Sequence, residues 1–313
     1  MHVVIMGAGA VGGYFGSALS KNGVNVTFVA RGQHLEHMKK YGLKVDSYWG
    51  RFLAAPPGAI GDMARFTDSL ENIQKADLII LATKLYSNAS ALPLLKPVIG
   101  TNTVILTIQN GISSGEIISE YYGWEKVLQG ATYIETEIID PGYIQQTGSV
   151  AMIEFGEKDG KISDRCLRVK EILDVDGIQV NISKDIASTL WIKMVSVGAI
   201  GTLATAARSS LVEMISGEFG SESLKNIMEE IVAVGKSEGI QFPIGVVDEK
   251  FNSAIREAEE FKSSLQYDFN NHKPLELDDI LGTVVRIAKK NDIPTPASTI
   301  LMSVLEKYKK GTK

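Results

Sequence analysis

The sequence predicts an α/β domain built on a parallel sheet, followed by an all-helical domain, and three observations carry that expectation. The first is an apolar run, Val3-Val4-Ile5-Met6, that breaks into Gly7-Ala8-Gly9-Ala10-Val11-Gly12 and then into a helix-permissive stretch, Tyr14 to Leu19. The second is the recurrence of continuous apolar runs, Asp77 to Ala82 and Thr103 to Thr107, of the kind found in strands covered on both faces. The third is a change of pattern near residue 184. From Asp185 on, strand signals vanish and helical periodicity takes over, as in Ile280, Val284 and Ile287 beside Leu281, Val285 and Ala288. The expected units are residues 1–183 and 184–313.

A strand that opens through G-x-G-x-x-G into a helix is the dinucleotide-binding pattern in its required context, a Rossmann arrangement. Gly7 allows the tight turn, Gly9 lets the backbone approach a pyrophosphate, and Gly12 lets helix and strand pack closely. The pyrophosphate then rests on the N–H groups of the helix N-terminus, around Ala8, Ala10 and Val11. Asn25 to Ala30 reads as the next parallel strand, and it ends about 20 residues after the glycines, where an NAD site usually carries Asp or Glu for the ribose 2′-OH. Here Ala30-Arg31 stands instead. A guanidinium can grip a 2′-phosphate bidentately, which favours NADPH/NADP over NAD; the alternative for Arg31 is a solvated loop cation.

Further along, a short helix is expected over His34 to Lys40, with His34 and His37 on its exposed face, then a strand at Leu43-Lys44-Val45 and a Pro-Pro-Gly turn at Pro56 to Gly58. The apolar strands that follow end in Thr83-Lys84 and in Gln109-Asn110-Gly111. In open α/β sheets ligands bind beyond the carboxyl ends of the strands, so Lys84 and Asn110 fall where a crevice is expected. Each also has a plainer reading, Lys84 as a solvated lysine and Asn110-Gly111 as a turn pair that tolerates positive φ. Val127-Leu128, Thr132 to Ile138 and Val150 to Phe155 look antiparallel, with Asp140-Pro141-Gly142 as a turn. Asp164 to Leu173 reads as a helix and Ile178-Gln179-Val180 as a short strand.

Bulk properties narrow the function. The chain has 313 residues, enough for two domains and a sizeable core. A net charge of −5 without a basic block argues against nucleic acid and against a membrane surface as partners. Cys166 is the single cysteine, so an internal disulfide or a cysteine zinc cluster is excluded, and the four histidines lack metal-ligand spacing. The start lacks a signal-peptide pattern, and no apolar stretch is expected to approach the roughly 20 residues of a membrane span, so the location expected is cytoplasmic.

In the helical half, Leu190-Trp191-Ile192-Lys193-Met194-Val195 sets Lys193 on a face with Leu190 and Val197. A lysine there either snorkels outward or points into a cleft, where desolvation lowers its pKa toward a range useful for proton transfer. Glu276, near a helix start, reads at least as a carboxylate placed well against the macrodipole. A dinucleotide domain followed by a helical one puts a small substrate between them, since domain interfaces often hold ligands. The apolar helical faces suffice for a homodimer, although no residue pattern decides it.

GAGAVGGYFG at the start, Arg31, Thr83-Lys84, Gln109-Asn110-Gly111, Trp191 to Lys193, and Ser263-Ser264 followed by Glu276 together resemble the ketopantoate reductases (2-dehydropantoate 2-reductases) over almost the whole length. The resemblance implies a Rossmann domain followed by a helical domain like the C-terminal part of 6-phosphogluconate dehydrogenase. It implies NADPH-dependent reduction of 2-dehydropantoate to pantoate on the route to pantothenate and coenzyme A. Carried over by position, Lys193 is the general acid, Glu276 orients it and touches the cofactor site, and Asn110 and Ser264 bind substrate. Lys84 sits near cofactor phosphate or substrate, and Asn110 also borders the cofactor.

The chain departs from the family where Asn is usual four and eight residues after the lysine. Val197 and Gly201 stand there, and Leu275 stands where Thr is usual before the glutamate. A site without those amides discriminates less steeply for a hydroxylated acid, so a same-fold reductase of another 2-oxo acid is the first alternative. A non-catalytic NADP(H)-sensing protein is the second, and it would need the glycines and Arg31 but neither Lys193 nor Glu276.

Overall fold

The computed structural model describes residues 1–54, 64–259 and 263–311. The chain divides into two compact units. One comprises Met1–Asn110 and Ser114–Ile186, and the other comprises Gly111–Ser113 and Ala187–Lys313. The Pro-Pro-Gly turn expected at Pro56 to Gly58 lies outside the described residues.

The first unit is an α/β sheet domain. Its strands are β1 (His2–Met6), β2 (Asn25–Val29), β3 (Leu43–Ser47), β4 (Gly50–Ala54), β5 (Ala64–Thr67), β6 (Leu78–Leu81), β7 (Val104–Thr107), β8 (Val127–Asp140), β9 (Tyr143–Gly156) and β10 (Gln179–Ile182). The helices are α1 (Ala10–Lys21), α2 (Gly32–Tyr41), α3 (Asn88–Ala91), α4 (Ser114–Tyr122) and α5 (Asp164–Leu173). Among the described residues one sheet runs β4-β3-β9-β8-β7-β6-β1-β2-β5, with β10 paired to β9. The stretch from β8 through β7, β6, β1 and β2 to β5 is parallel, and β8 against β9 is antiparallel.

The continuous apolar runs have the expected cause, since alternate residues of one strand feed two cores. Val3 and Ile5 enter a cluster with Phe15, Leu19 and Phe28, whereas Val4 and Met6 enter another with Ile79, Leu81 and Leu92. Strand length is where sequence and structure differ most. Val127-Leu128 and Thr132 to Ile138 form one long strand, and Asp140-Pro141-Gly142 turns it into β9 with bulges after Ile134 and Ile138. On β9 the first irregularity falls between Thr147 and Ala151, so only its far part, from Val150, reads as a strand. The exposed helix face expected at His34 and His37 is not found, because both are half-buried.

The second unit is helical: α6 (Ile186–Ala207), α7 (Leu211–Ser216), α8 (Gly220–Ser237), α9 (Val246–Arg256), α10 (Ser264–Asn270), α11 (Leu281–Lys290) and α12 (Pro296–Leu305). The expectation that no stretch reaches membrane-spanning length needs correction. With its 22 residues and Lys193 as its single charge, α6 is long and apolar enough to cross a membrane. Its apolarity has a nearer use, since Trp191, Met194, Val195, Ala199 and Ile200 are buried in the unit's own core with Leu224, Ile231 and Val284. A helix that is hydrophobic all round is the mark of a buried core element.

Candidate active site

Four neighbouring parallel strands, in the order β7-β6-β1-β2, bring the sequence-selected residues of the first unit to one edge. Asn110 follows β7, Lys84 follows β6, Gly7 follows β1 and Arg31 follows β2. The carboxyl end of a parallel sheet is where such folds bind ligands.

The glycine turn has the geometry of a dinucleotide cradle. Gly7 sits at φ +100°, and a Cβ there would lie 2.8 Å from Thr83. A Cβ on Gly12 would run into the Gly7 carbonyl and lie 2.9 Å from Ala82, so only glycine fits where the first turn of α1 meets the glycine turn and the end of β6. Around a Cβ built on Gly9, by contrast, there is nothing within 4 Å. Gly9 is also the N-cap of α1, with no side-chain cap and no acidic residue in the first turn, so the first N–H groups of the helix take no cap from a side chain. Gly7 N–H and Ala8 N–H both donate to the Val29 carbonyl, at 3.2 and 2.9 Å, which locks the turn to the end of β2. These residues fit a dinucleotide pyrophosphate. Arg31 is exposed at the N-cap of α2, beside that turn.

Lys84 and Asn110 are both half-buried. Between them lies a buried amide network that the sequence did not single out. Gln109 donates through Nε2 to the Thr83 carbonyl (2.8 Å) and to Asn88 Oδ1 (2.7 Å), and accepts at Oε1 from Asn88 Nδ2 (3.3 Å) and Thr107 (3.2 Å). It pins the loop carrying Lys84 to the end of the strand carrying Asn110. The signal was a glutamine two residues past a fully buried strand, where a polar side chain must find partners.

In the helical unit α6 presents Lys193 half-buried, while Glu276, in the segment leading to α11, is buried at 4% exposure. Burial pulls the Lys193 ammonium down to about 8, and the nearby Glu276 charge opposes that fall. Asp279 is pushed up to about 6, by burial first and then by the negative charges of Glu276 and Asp278.

Ser264, the first residue of α10, is exposed, and its neighbour Ser263 is buried. Ser263 accepts from the Gln266 N–H as the N-cap, and the spacing Ser-x-x-Gln was the visible signal. A Cβ built on Gly201 would lie 3.0 Å from Ser263 Oγ, so the second turn past Lys193 is filled from α10 rather than from α6. Val197, one turn past Lys193, is partly buried against the helical core.

Comparison with known proteins agrees with this arrangement. The family models described as ketopantoate reductase PanE/ApbA and ketopantoate reductase PanE/ApbA C terminal match residues 3–160 and 185–309. A 2-dehydropantoate 2-reductase of Mesorhizobium japonicum is 27% identical over 328 residues, covering 98% of this chain and 97% of its own. The crystal structure of 2-dehydropantoate 2-reductase from Geobacter metallireducens superposes with a TM-score of 0.90 at 24% identity, covering 98% of this chain and 99% of the other. A D-mandelate dehydrogenase solved with NADH and anilino(oxo)acetate has the same fold, with a TM-score of 0.87 at 23% identity, over 98% and 97% of the two chains. With both halves matched in order, the chain belongs to the ketopantoate reductase family and is an oxidoreductase with a Rossmann domain followed by that family's helical C-terminal domain.

Proposed function

We propose that the chain reduces 2-dehydropantoate to pantoate with NADPH, as a cytoplasmic enzyme of pantothenate and coenzyme A biosynthesis. The observation that carries the reading is a desolvated Lys193 with the buried Glu276 near enough for its charge to act on it, which a dinucleotide-binding protein without turnover does not need. NADPH, when bound, supplies the hydride for the ketone carbon. Lys193 polarises the ketone oxygen and gives it a proton as negative charge builds, so hydride and proton together make the alcohol. With its pKa near 8 the ammonium is about nine-tenths protonated at neutral pH, yet it is a better acid than an ordinary lysine. Glu276 keeps it charged. Asn110, Ser264 and Lys84 orient the acid, and Arg31 takes the 2′-phosphate.

A second reading is favoured by Val197, one turn past Lys193 and partly buried. An apolar group in line with Lys193 suits a 2-oxo acid with an apolar side chain, in keeping with the D-mandelate dehydrogenase that shares the fold. The test is steady-state oxidation of NADPH with 2-dehydropantoate, beside NADH and a panel of branched and aryl 2-oxo acids. Preference for 2-dehydropantoate supports the first reading, and turnover confined to another acid replaces it with the second. Absence of turnover with every acid, despite NADPH binding, sinks both.

A further inference from the structure

His34 lies in the first turn of α2, three residues after Arg31, and has no part in the catalytic scheme above. Its Nε2 meets the carbonyl of Ala8, in the glycine turn, at 3.0 Å. Its Nδ1 meets the N–H of Gly142, in the β8–β9 turn, at 3.0 Å. A carbonyl can only accept and an amide N–H can only donate, so this pattern assigns the neutral ring with its proton on Nε2. The Gly142 carbonyl in turn accepts from Lys44 N–H at 2.9 Å, so α2, the glycine turn, the hairpin turn and β3 meet at one imidazole.

The bond to Ala8 has a directional consequence. In a planar trans peptide the carbonyl and the following N–H point opposite ways. Drawing the Ala8 carbonyl toward His34 therefore turns the Gly9 N–H the other way, at the N-cap where a Cβ would meet nothing within 4 Å. That N–H is one of the donors an α1 phosphate site depends on.

We propose that His34 is a positioning residue for the dinucleotide, holding the Ala8–Gly9 peptide in the phosphate-binding orientation and doing so as the neutral imidazole. The proposal rests on the dinucleotide reading of the glycine turn. A protonated ring keeps its Nε2–H for the Ala8 carbonyl but presents a second N–H to the Gly142 N–H, so protonation pushes the ring off the anchor that sets its place against Ala8. Burial lowers the His34 pKa from its ordinary 6.5, the Ala8 carbonyl raises it less, and the charge of His37 lowers it again. Around it the glycine turn carries no titratable side chain. The hairpin brings Asp140 and Tyr143, and the Tyr143 hydroxyl donates to Asp46 of β3 at 2.7 Å with Lys44 over its ring. Because the folded state favours the neutral form, the tie is intact above the ordinary value and is lost as pH falls through the lowered one.

The experiment is fluorescence titration of the full chain with NADH and NADPH, from about pH 7.5 down to about pH 5, for wild type, His34→Leu and His34→Gln. NADH decides the pH arm, since the NADPH 2′-phosphate titrates near 6 itself. At the upper pH His34→Leu weakens both cofactors alike, by roughly 5–20-fold for one to two lost hydrogen bonds, and His34→Gln, which carries a donor and an acceptor, recovers most of the loss. Wild type loses NADH affinity toward low pH, and His34→Gln flattens that slope. NADH affinity unchanged in His34→Leu overturns the proposal, as does a pH slope unchanged in His34→Gln, which stays decisive if the leucine variant does not fold. A wild type that binds neither cofactor overturns the dinucleotide reading itself.

Discussion

Lys193 and Glu276 are legible one at a time in the residue pattern, as a lysine on an apolar helical face and an acid near a helix start, and the family resemblance couples them. What the folded chain adds is the burial that lowers the lysine, with the Glu276 charge opposing it. If Lys193 is the proton donor, kcat/KM for ketone reduction is nearly level at neutral pH and falls as pH rises through about 8, because only the protonated form can give the proton. Glu276→Gln removes the charge that opposes desolvation, so the alkaline limb moves to lower pH; an unmoved limb in the pH–rate profile separates the two residues. Lys193→Ala is expected to lose roughly 10²–10⁴-fold in kcat while still binding cofactor. Arg31 belongs to the same scale. Arg31→Ala should weaken NADPH while leaving NADH nearly unchanged, and equal losses in parallel titrations would mean the guanidinium does not read the 2′-phosphate.

Among the elements, the glycine turn and α1 were readable because their chemistry is local: one φ of +100° and one close approach require glycine at fixed spacing. The β8–β9 hairpin was only partly readable, since its bulges interrupt the alternation that marks a strand. What fastens it is an ion pair from another element. Arg165 of α5 donates through Nε to buried Glu157 at 2.6 Å and through its other nitrogens to the Trp124, Glu125 and Val127 carbonyls at the start of β8. Burial raises the Glu157 carboxyl, but hydrogen bonds from Arg165 and Ser163 outweigh it and leave its pKa below the ordinary 4.5. The pair therefore stabilises the fold above that value, and its contribution fades as pH falls through the lowered pKa. Arg165→Leu strands a buried charge and should cost about 3–5 kcal/mol by urea denaturation at neutral pH; a loss under about 1 kcal/mol would show that water reaches Glu157 freely.

At the scale of the molecule, the two units have separate cores: the sheet of the first feeds two, and the main core of the second is built around α6. A ligand that binds only the native state stabilises it by mass action. NADPH at 100 times its Kd should stabilise the protein by roughly 2.7 kcal/mol, seen as a rise in Tm, and a Tm indifferent to NADPH would remove the cofactor from the scheme.

The alternation of strands and helices in the first half, the change to an all-helical half, the glycine turn and the family are legible in the sequence alone, because each is written in local periodicity or in the spacing of a few residues. The short β4, β5, α3 and α4 carry too little periodic signal and are not. Folding alone decides which distant groups meet. His34 finds partners 26 and 108 positions away, Gln109 reaches back to Thr83 and Asn88, and Ser263 fills the space beside Gly201. Such meetings depend on strand order and helix packing, which bring together residues whose separation in sequence carries no periodic signal.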